Sequence, residues 1–385
     1  MDTAASLPAA AWDALLGPGD FYLSSAWLRL AEDIRHLRAL YIAAGSPPAA
    51  SLVAHLVDAG QAPSSQTRVD KVLARVLALD EAPSGLDQLL PSLVCGGLLT
   101  THSRVPVDPR LPAADRAAMT TDLLAAAEAT ARRLGARSLA ALMVDATDTV
   151  LAQSLASAGF RSFPNGECAR LDVRWSSFDE YLDSLGAHRR GSVRQEIRAL
   201  EQAGVSISTA PLSTDLVPSL ARLELELLRR YRSAREPATV ERSLQLLAAR
   251  LGETAIVAVA RLAGRPCGFL LLLPWRDELH ARNVGFDYAA QGRLPLYFGT
   301  CFYEPIRHAI SHGWRVIDYG SGSGPAKAAR GCRLVPQRLY VKGLEPVLQH
   351  LLDRLADLPP EADDGRRREQ QGVADATHRE YNDHA

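Results

Sequence analysis

The sequence predicts a mixed α/β (α+β) fold, with two domains that each hold a largely antiparallel sheet flanked by helices. Three observations lead there. At 385 residues the chain exceeds the size at which one hydrophobic core keeps growing, so two domains are expected. Aromatic residues make up only 6%, while alanine, leucine and arginine abound, a composition that suits helices layered on a sheet. In the second half, three successive strand-like runs precede a helix and another strand, unlike the strict alternation of a Rossmann domain.

Taken in order, Phe21 to Leu28 opens a helix whose serines, Ser24 and Ser25, can cap free N–H groups ahead of an apolar stripe. Strands are expected over Leu37 to Ala44 and Ser51 to Val57, either side of the turn-prone Gly45-Ser46-Pro47-Pro48, and again over Leu89 to Leu99. Ala113 to Leu134 has the 3.6-residue period of a long helix stopped by Gly135. A strand over Ser138 to Val144 and a helix over Thr149 to Ala158 complete a first domain, 1–174.

The second domain, 175–356, begins with helices over Phe178 to Leu185 and Arg189 to Ala203 and a short strand from Val205 to Thr209. Helices over Leu216 to Tyr231 and Val240 to Leu251 follow. The strand runs are Ala255 to Leu262, Cys267 to Pro274 and Leu279 to Phe286, and a helix from Tyr297 to Ser311 leads to a strand at Arg315 to Tyr319. A last helix covers Pro346 to Leu355. Residues 357–385 are charged and nearly free of large apolar side chains, the composition of a disordered tail.

The formal charge is −1, but this tail carries eight acidic residues and four arginines, which leaves the body at +3. That is too small to argue for a nucleic-acid partner from bulk charge. Five scattered cysteines without a C-x-x-C pair argue against a disulfide framework or a zinc cluster. No apolar run of 18 residues and no signal-peptide pattern occurs, so a cytoplasmic protein without a membrane span is expected.

Chemistry concentrates in Val316 to Lys327, where an apolar strand runs into a glycine-rich loop that delivers one of only three lysines. A lysine there can stabilise developing negative charge, and glycines let backbone approach a reacting carbonyl. An exposed lysine after an ordinary strand end is the plainer alternative. His280 and Arg282 alternate along one strand and would share a face lining a cleft, or simply face solvent. Arg190, Arg194 and Arg198 recur every four residues opposite the stripe Val193, Ile197 and Leu200, a basic helix face that either follows phosphates or pairs with Glu196 and Glu201. Arg229-Arg230-Tyr231-Arg232 would extend it. His308 and His312 have the i,i+4 spacing of metal ligands, but no acidic partner or third ligand is near in sequence, so no metal is expected.

These pieces together resemble the Fem-like acyltransferases of the GNAT fold, in which two GNAT domains sit in tandem. The likeness rests on Phe178-Asp179-Glu180-Tyr181-Leu182, the basic helix from His188 to Gly204, Gly285-Phe286-Asp287-Tyr288-Ala289, and His312-Gly313-Trp314 through Asp318-Tyr319-Gly320 to Lys327 and Gly331. In the first half it is looser, resting on Ser24 to Leu28 and Leu155 to Phe160. The resemblance implies amide formation by transfer of an aminoacyl group from aminoacyl-tRNA to the amine of a small-molecule or peptidoglycan-type acceptor, by direct attack. Acyl-CoA as donor, and a noncatalytic GNAT-like binding protein, are the alternatives.

The family's loop lysine falls on Lys327, and its frequent strand-end acid falls on Asp287, a residue that equally reads as a helix cap. Arg189, Arg190, Arg194 and Arg198, with Tyr319, Gly320, Ser321, Gly322 and Gly324, are then expected to bind the donor. His280, Arg282 and Tyr297 would line the acceptor pocket. The CoA-cradling pattern R/Q-x-x-G-x-G/A is missing from Gln291 to Gly299, which shifts weight from acyl-CoA towards charged tRNA as the donor substrate, with acyl-CoA kept as the alternative; no cofactor is expected.

Overall fold

The structure is a computed structural model and describes residues 1, 3–35, 38–60, 67–77, 85–231, 233 and 235–357. The tail from 358 onward, and Arg232, lie outside the described residues. The chain divides into two compact units, Met1–Glu167 with Val335–Ala385, and Cys168–Leu334.

In the first unit, β1 (Ala39–Ala44), β2 (Ala50–Val57) and β3 (Ser92–Cys95) run antiparallel to their neighbours, and β3 pairs in parallel with β4 (Ser138–Asp145). The last strand among the described residues, β11 (Arg333–Gly343), closes this sheet against β4, with Gln337 opposite Asp145 and Gly343 opposite Ser138. The helix Ala113–Arg133 turns Leu123, Leu124, Ala127 and Ala131 inward, the spacing of one helical face, onto Leu52, Ala54 and Leu139. Asp148 caps the helix Thr149–Ser157 by accepting from the Leu151 N–H at 3.1 Å.

The second unit is built on the end of β5 (Arg161–Asp172) from Cys168 onward, with β6 (Val205–Pro211), β7 (Ile256–Leu262), β8 (Arg265–Trp275), β9 (Glu278–Phe286) and β10 (Val316–Ser321). From Cys168 onward β5 pairs with β10, and β10, β9, β8, β7 and β6 follow in order. Every pair is antiparallel except β9 with β10. The core gathers Ala258, Leu270, Leu272, Leu279 and Ile317 from the sheet with Val193, Leu200, Phe302 and Ile306 from the helices.

The mixed, largely antiparallel α/β class is as expected. The residues 335–356, however, do not join the second domain: β11 hydrogen-bonds to β4, and the helix Pro346–Ala356 buries Leu348 and Leu352 with Val57, Val94 and Leu339 in the first unit's core. Two strands, β5 and β11, were not expected from the sequence, because their exposed faces carry proline, glycine and charge that break the apolar alternation. The expected strand at 89–99 shrinks to β3, ending before Gly96-Gly97.

Candidate active site

The site is organised by the point at which two parallel strands part. β10 pairs with β9 at Val316–Glu278, Ile317–Leu279 and Asp318–His280, and beyond that pair β9 continues to Phe286 and β10 to Ser321 without further pairing between them. Just past the parting, β9 slips register against β8: Leu270 faces Val284 but Leu272 faces Ala281, which leaves Arg282 and Asn283 on a bulge.

On the other strand, the glycine loop is held from within. Lys327 is 5% exposed, and its Nζ donates to the carbonyls of Tyr319, Gly320 and Ser321 at 2.8, 3.1 and 2.9 Å. An ammonium has three N–H groups, so all are committed, and Lys327 shapes the loop instead of presenting a free proton to a reacting atom. Because peptides are planar and trans, turning the Ser321 carbonyl onto the ammonium faces the Gly322 N–H the other way. The Gly320 N–H is already given to Asp318 Oδ1 at 2.8 Å. Gly322 (φ 80°) and Ser323 (φ 51°) hold the loop in left-handed backbone. Burial lowers the Lys327 pKa, and Cys168, Cys332, Asp318 and Cys301 oppose that shift.

Aromatic rings wall the same region. Tyr319 stacks on Phe302 at 4.7 Å between centroids, and its buried hydroxyl has no hydrogen-bond partner among the described residues. Tyr297 meets Phe286 at 6.0 Å and Phe302 at 5.8 Å, so it shares Phe302 with Tyr319. Burial pushes the Tyr297 phenol up. The expected residues Tyr297, Tyr319, Gly320, Ser321, Gly322, Gly324 and Lys327 therefore converge.

Others do not. His280 is fully buried beneath the parting, its Nε2 3.8 Å from Glu278 Oε2, so it lines no open pocket. The bulge ends the alternation that would have put Arg282 on its face, and Arg282 instead acts electrostatically on Glu224. Asp287 caps the turn Tyr288–Gln291 by accepting from the Ala290 N–H at 3.0 Å, and it pairs with Arg222 at 3.1 Å. The Ala290 hydrogen bond leads the causes that hold its carboxyl below the usual range, which makes Asp287 a cap and a poor base. His308 and His312 stack on each other at 4.0 Å, with His308 Nδ1 3.0 Å from Thr209 Oγ1.

The basic helix Ala187–Gln202 differs from expectation in one respect. Glu196 points inward: Arg330, with no exposure, donates to its two oxygens at 3.2 and 3.0 Å, and the Tyr303 hydroxyl donates to the same carboxylate. Arg330 also lies 3.2 Å over the Phe298 ring, and its own carbonyl accepts from Tyr181 at 3.1 Å. Glu196 thus cannot neutralise the outer face, where Arg194 and Arg198 are exposed and make no ion pair among the described residues. Arg189 and Arg190 are half-buried, and Arg190 lies 3.6 Å from Asp183.

Two clusters went unnoticed in the sequence. Glu224, on the helix Val217–Arg230, accepts from Arg235 at 3.0 Å and from Asn283 Nδ2 at 2.9 Å. In the first unit, His102 Nδ1 lies 2.9 and 3.0 Å from the Asp145 oxygens, which also accept from Arg104 at 2.8 Å and Gln337 at 2.9 Å. Burial alone would raise the Asp145 carboxyl; His102, Arg104 and Gln337 more than reverse that and hold it low. Both clusters join residues far apart in sequence, so no local spacing announces them.

The stretch Gln291 to Gly299 offers little to a pyrophosphate. Pro295 has no N–H, and the N–H groups of Leu294, Leu296, Phe298 and Gly299 are spent on the carbonyls of Gln291, Leu294 and Pro295 at 2.8 to 3.1 Å.

Residues 103–358 match the profile of a family described as FemAB-like, peptidoglycan biosynthesis/recognition. The chain belongs to the FemAB-like family. Among solved structures, FemX is similar with a TM-score of 0.61 at 12% identity, over 90% of this chain and 98% of that one. L-PGS from Bacillus licheniformis follows at 0.54 and 15%, over 92% and 98%. The C-terminal domain of a putative lysylphosphatidylglycerol synthetase from Agrobacterium fabrum gives 0.53 and 16%, over 90% and 94%. At these identities the likeness establishes a shared fold. No curated protein sequence matches the chain significantly. The resemblance to Fem-like GNAT proteins is thereby confirmed, and as a FemAB-like protein the chain is an enzyme of the acyl- and aminoacyltransferase class. Among the described residues no helix is long and apolar enough to cross a membrane.

Proposed function

We propose that this FemAB-like enzyme transfers an aminoacyl group from aminoacyl-tRNA to the amine of a small-molecule or peptidoglycan-type acceptor, by direct attack and without a covalent enzyme intermediate. The observation that carries the donor assignment is the inward turn of Glu196, which leaves Arg194 and Arg198 as uncompensated cations on a solvent-facing helix. Such a face suits a phosphate backbone and contributes salt-dependent affinity. The spent N–H groups of Gln291 to Gly299 weigh against a CoA pyrophosphate at that position. A tRNA donor also implies action in the cytoplasm.

The donor ester lies at the parting of β9 and β10. Tyr297 and Tyr319 flank its aminoacyl end, and the outward N–H of Gly322 meets the oxygen that gains charge as the amine attacks. Lys327 serves this step by fixing the loop.

Titration of the protein with charged tRNA, uncharged tRNA and acetyl-CoA at two salt concentrations tests the reading. Tightest binding of charged tRNA with a steep salt dependence is expected. Saturable acetyl-CoA binding with weak, salt-insensitive tRNA binding would replace it with the acyl-CoA alternative.

A further inference from the structure

We propose that Glu224 is the proton acceptor for the attacking amine and that the acceptor is a primary amine seated at the β9 bulge, an assignment that rests on the amide-forming reading above.

Position comes first. A Cβ built on Gly285 would lie 2.4 Å from the Glu224 nitrogen and 2.4 Å from the Leu223 carbonyl carbon, so the helix Val217–Arg230 rides directly on the backbone of β9. Only glycine permits that approach, and it sets Glu224 beside the bulge. There the register slip frees Asn283 from the regular ladder and Asn283 Nδ2 donates to Glu224 Oε2 at 2.9 Å, while Arg235 donates to Oε1 at 3.0 Å. A carboxylate oxygen can accept two hydrogen bonds and each of these accepts one from the side chains named, so both keep capacity for an amine.

The bulge begins two residues after His280, the last residue of β9 paired with β10. At roughly 3.3 Å per residue, Asn283 lies within about 10 Å of that pair along the strand. The loop held by Lys327 begins directly after Asp318, the other half of the same pair. The loop and, through Asn283, the carboxylate are therefore held by the two strands that diverge from one pair, which puts the ester and the incoming amine on neighbouring strand ends.

Chemistry agrees with position. Burial raises the Glu224 carboxyl, opposed by Asn283, Arg235 and Arg282, the two arginines being the charged groups that act on it from the segment before Pro237–Leu251 and from β9. In the reaction the neutral amine attacks the ester carbonyl, an N–C bond forms, and the C–O bond to the tRNA ribose breaks. Glu224 takes one amine proton and returns it to the departing ribose oxygen, so atoms and charge balance.

The test compares wild-type protein with Glu224→Gln in transfer from charged tRNA to two acceptor probes, L-lysine and a lysine-containing tripeptide, across pH 5.5 to 9. Glu224→Gln is expected to lower kcat by about 100-fold or more while leaving charged-tRNA affinity unchanged. Asn283→Ala, which removes a bond that lowers the Glu224 pKa, should move the acid limb of the kcat profile to higher pH. That second variant decides the matter if Glu224→Gln fails to fold. Wild-type kcat in Glu224→Gln, or an unmoved limb in Asn283→Ala, overturns the assignment while leaving the donor reading intact. Absence of transfer by the wild-type protein overturns the function on which it rests.

Discussion

Glu196 and Arg330 are 134 residues apart in sequence and form an ion pair in which neither side chain is more than 5% exposed. Glu196 sits on the helix that carries the arginine face, and Arg330 sits three residues beyond Lys327. The pair thus joins the arginine-bearing helix to the glycine loop of the candidate site, and Tyr303 and Phe298 enclose the junction.

Breaking this pair leaves a charge buried without its counterpart, which costs about 3–5 kcal/mol. Glu196→Ala is expected to lower the unfolding free energy by that amount in denaturant titration, whereas the double change Glu196→Leu with Arg330→Met should recover most of it. A single variant as stable as wild type would show that the guanidinium finds water or another partner.

Lys327 is expected to act through the loop. Lys327→Met keeps the bulk of the stem but orphans three carbonyls, at a cost of about 1–3 kcal/mol each for those that stay buried. Thermal unfolding and kcat should therefore fall together. A large loss of kcat at unchanged stability would mean that the ammonium touches the reacting atoms.

The outer arginines are expected to contribute charge without base recognition. Replacing Arg194 and Arg198 by alanine should weaken tRNA binding at low salt and reduce the slope of log K against log salt by roughly 0.7–0.9 for each phosphate that is no longer neutralised. An unchanged slope would make this helix face an ordinary solvated surface.

His55, buried on β2, provides a pH signature of the first unit. Burial lowers its pKa from 6.5 to about 4, so it is neutral in the fold at pH 7. Below pH 6.5 the unfolded chain takes up a proton that the folded one refuses, and stability is lost from there down to about pH 4. A shift of this size corresponds to about 3 kcal/mol at full extent. His55→Leu should flatten the loss between pH 7 and 4, and equal slopes in the two proteins would contradict the buried neutral state.

Much of the fold was legible because its signals are local. β7, β8 and β9 are apolar runs separated by Gly264 and by Arg276-Asp277, and the helix Ala113–Arg133 keeps one period over its whole length. β5 and β11 were not legible, since Arg161–Asp172 contains Pro164 and Gly166 and buries only part of its length. The glycine loop and its lysine stood out, but the use of that lysine did not: nothing in the spacing tells that the ammonium turns back onto residues 319–321. Glu196 had left one trace, since it lies three residues after Val193 and four before Leu200, on the apolar face. Its partner Arg330, like the pairing of Glu224 with Asn283, depends on long-range packing that no window of sequence holds.

The proposed donor is a charged tRNA. The most direct measurement follows enzyme-dependent loss of labelled amino acid from a pool of charged tRNA in the presence of the lysine probes, with acetyl-CoA as the competing donor, and identifies the product by mass. An amide whose added mass is that of an amino-acid residue is expected, formed at a rate that acetyl-CoA does not change. An acetylated product, with the tRNA esters left intact, would contradict it.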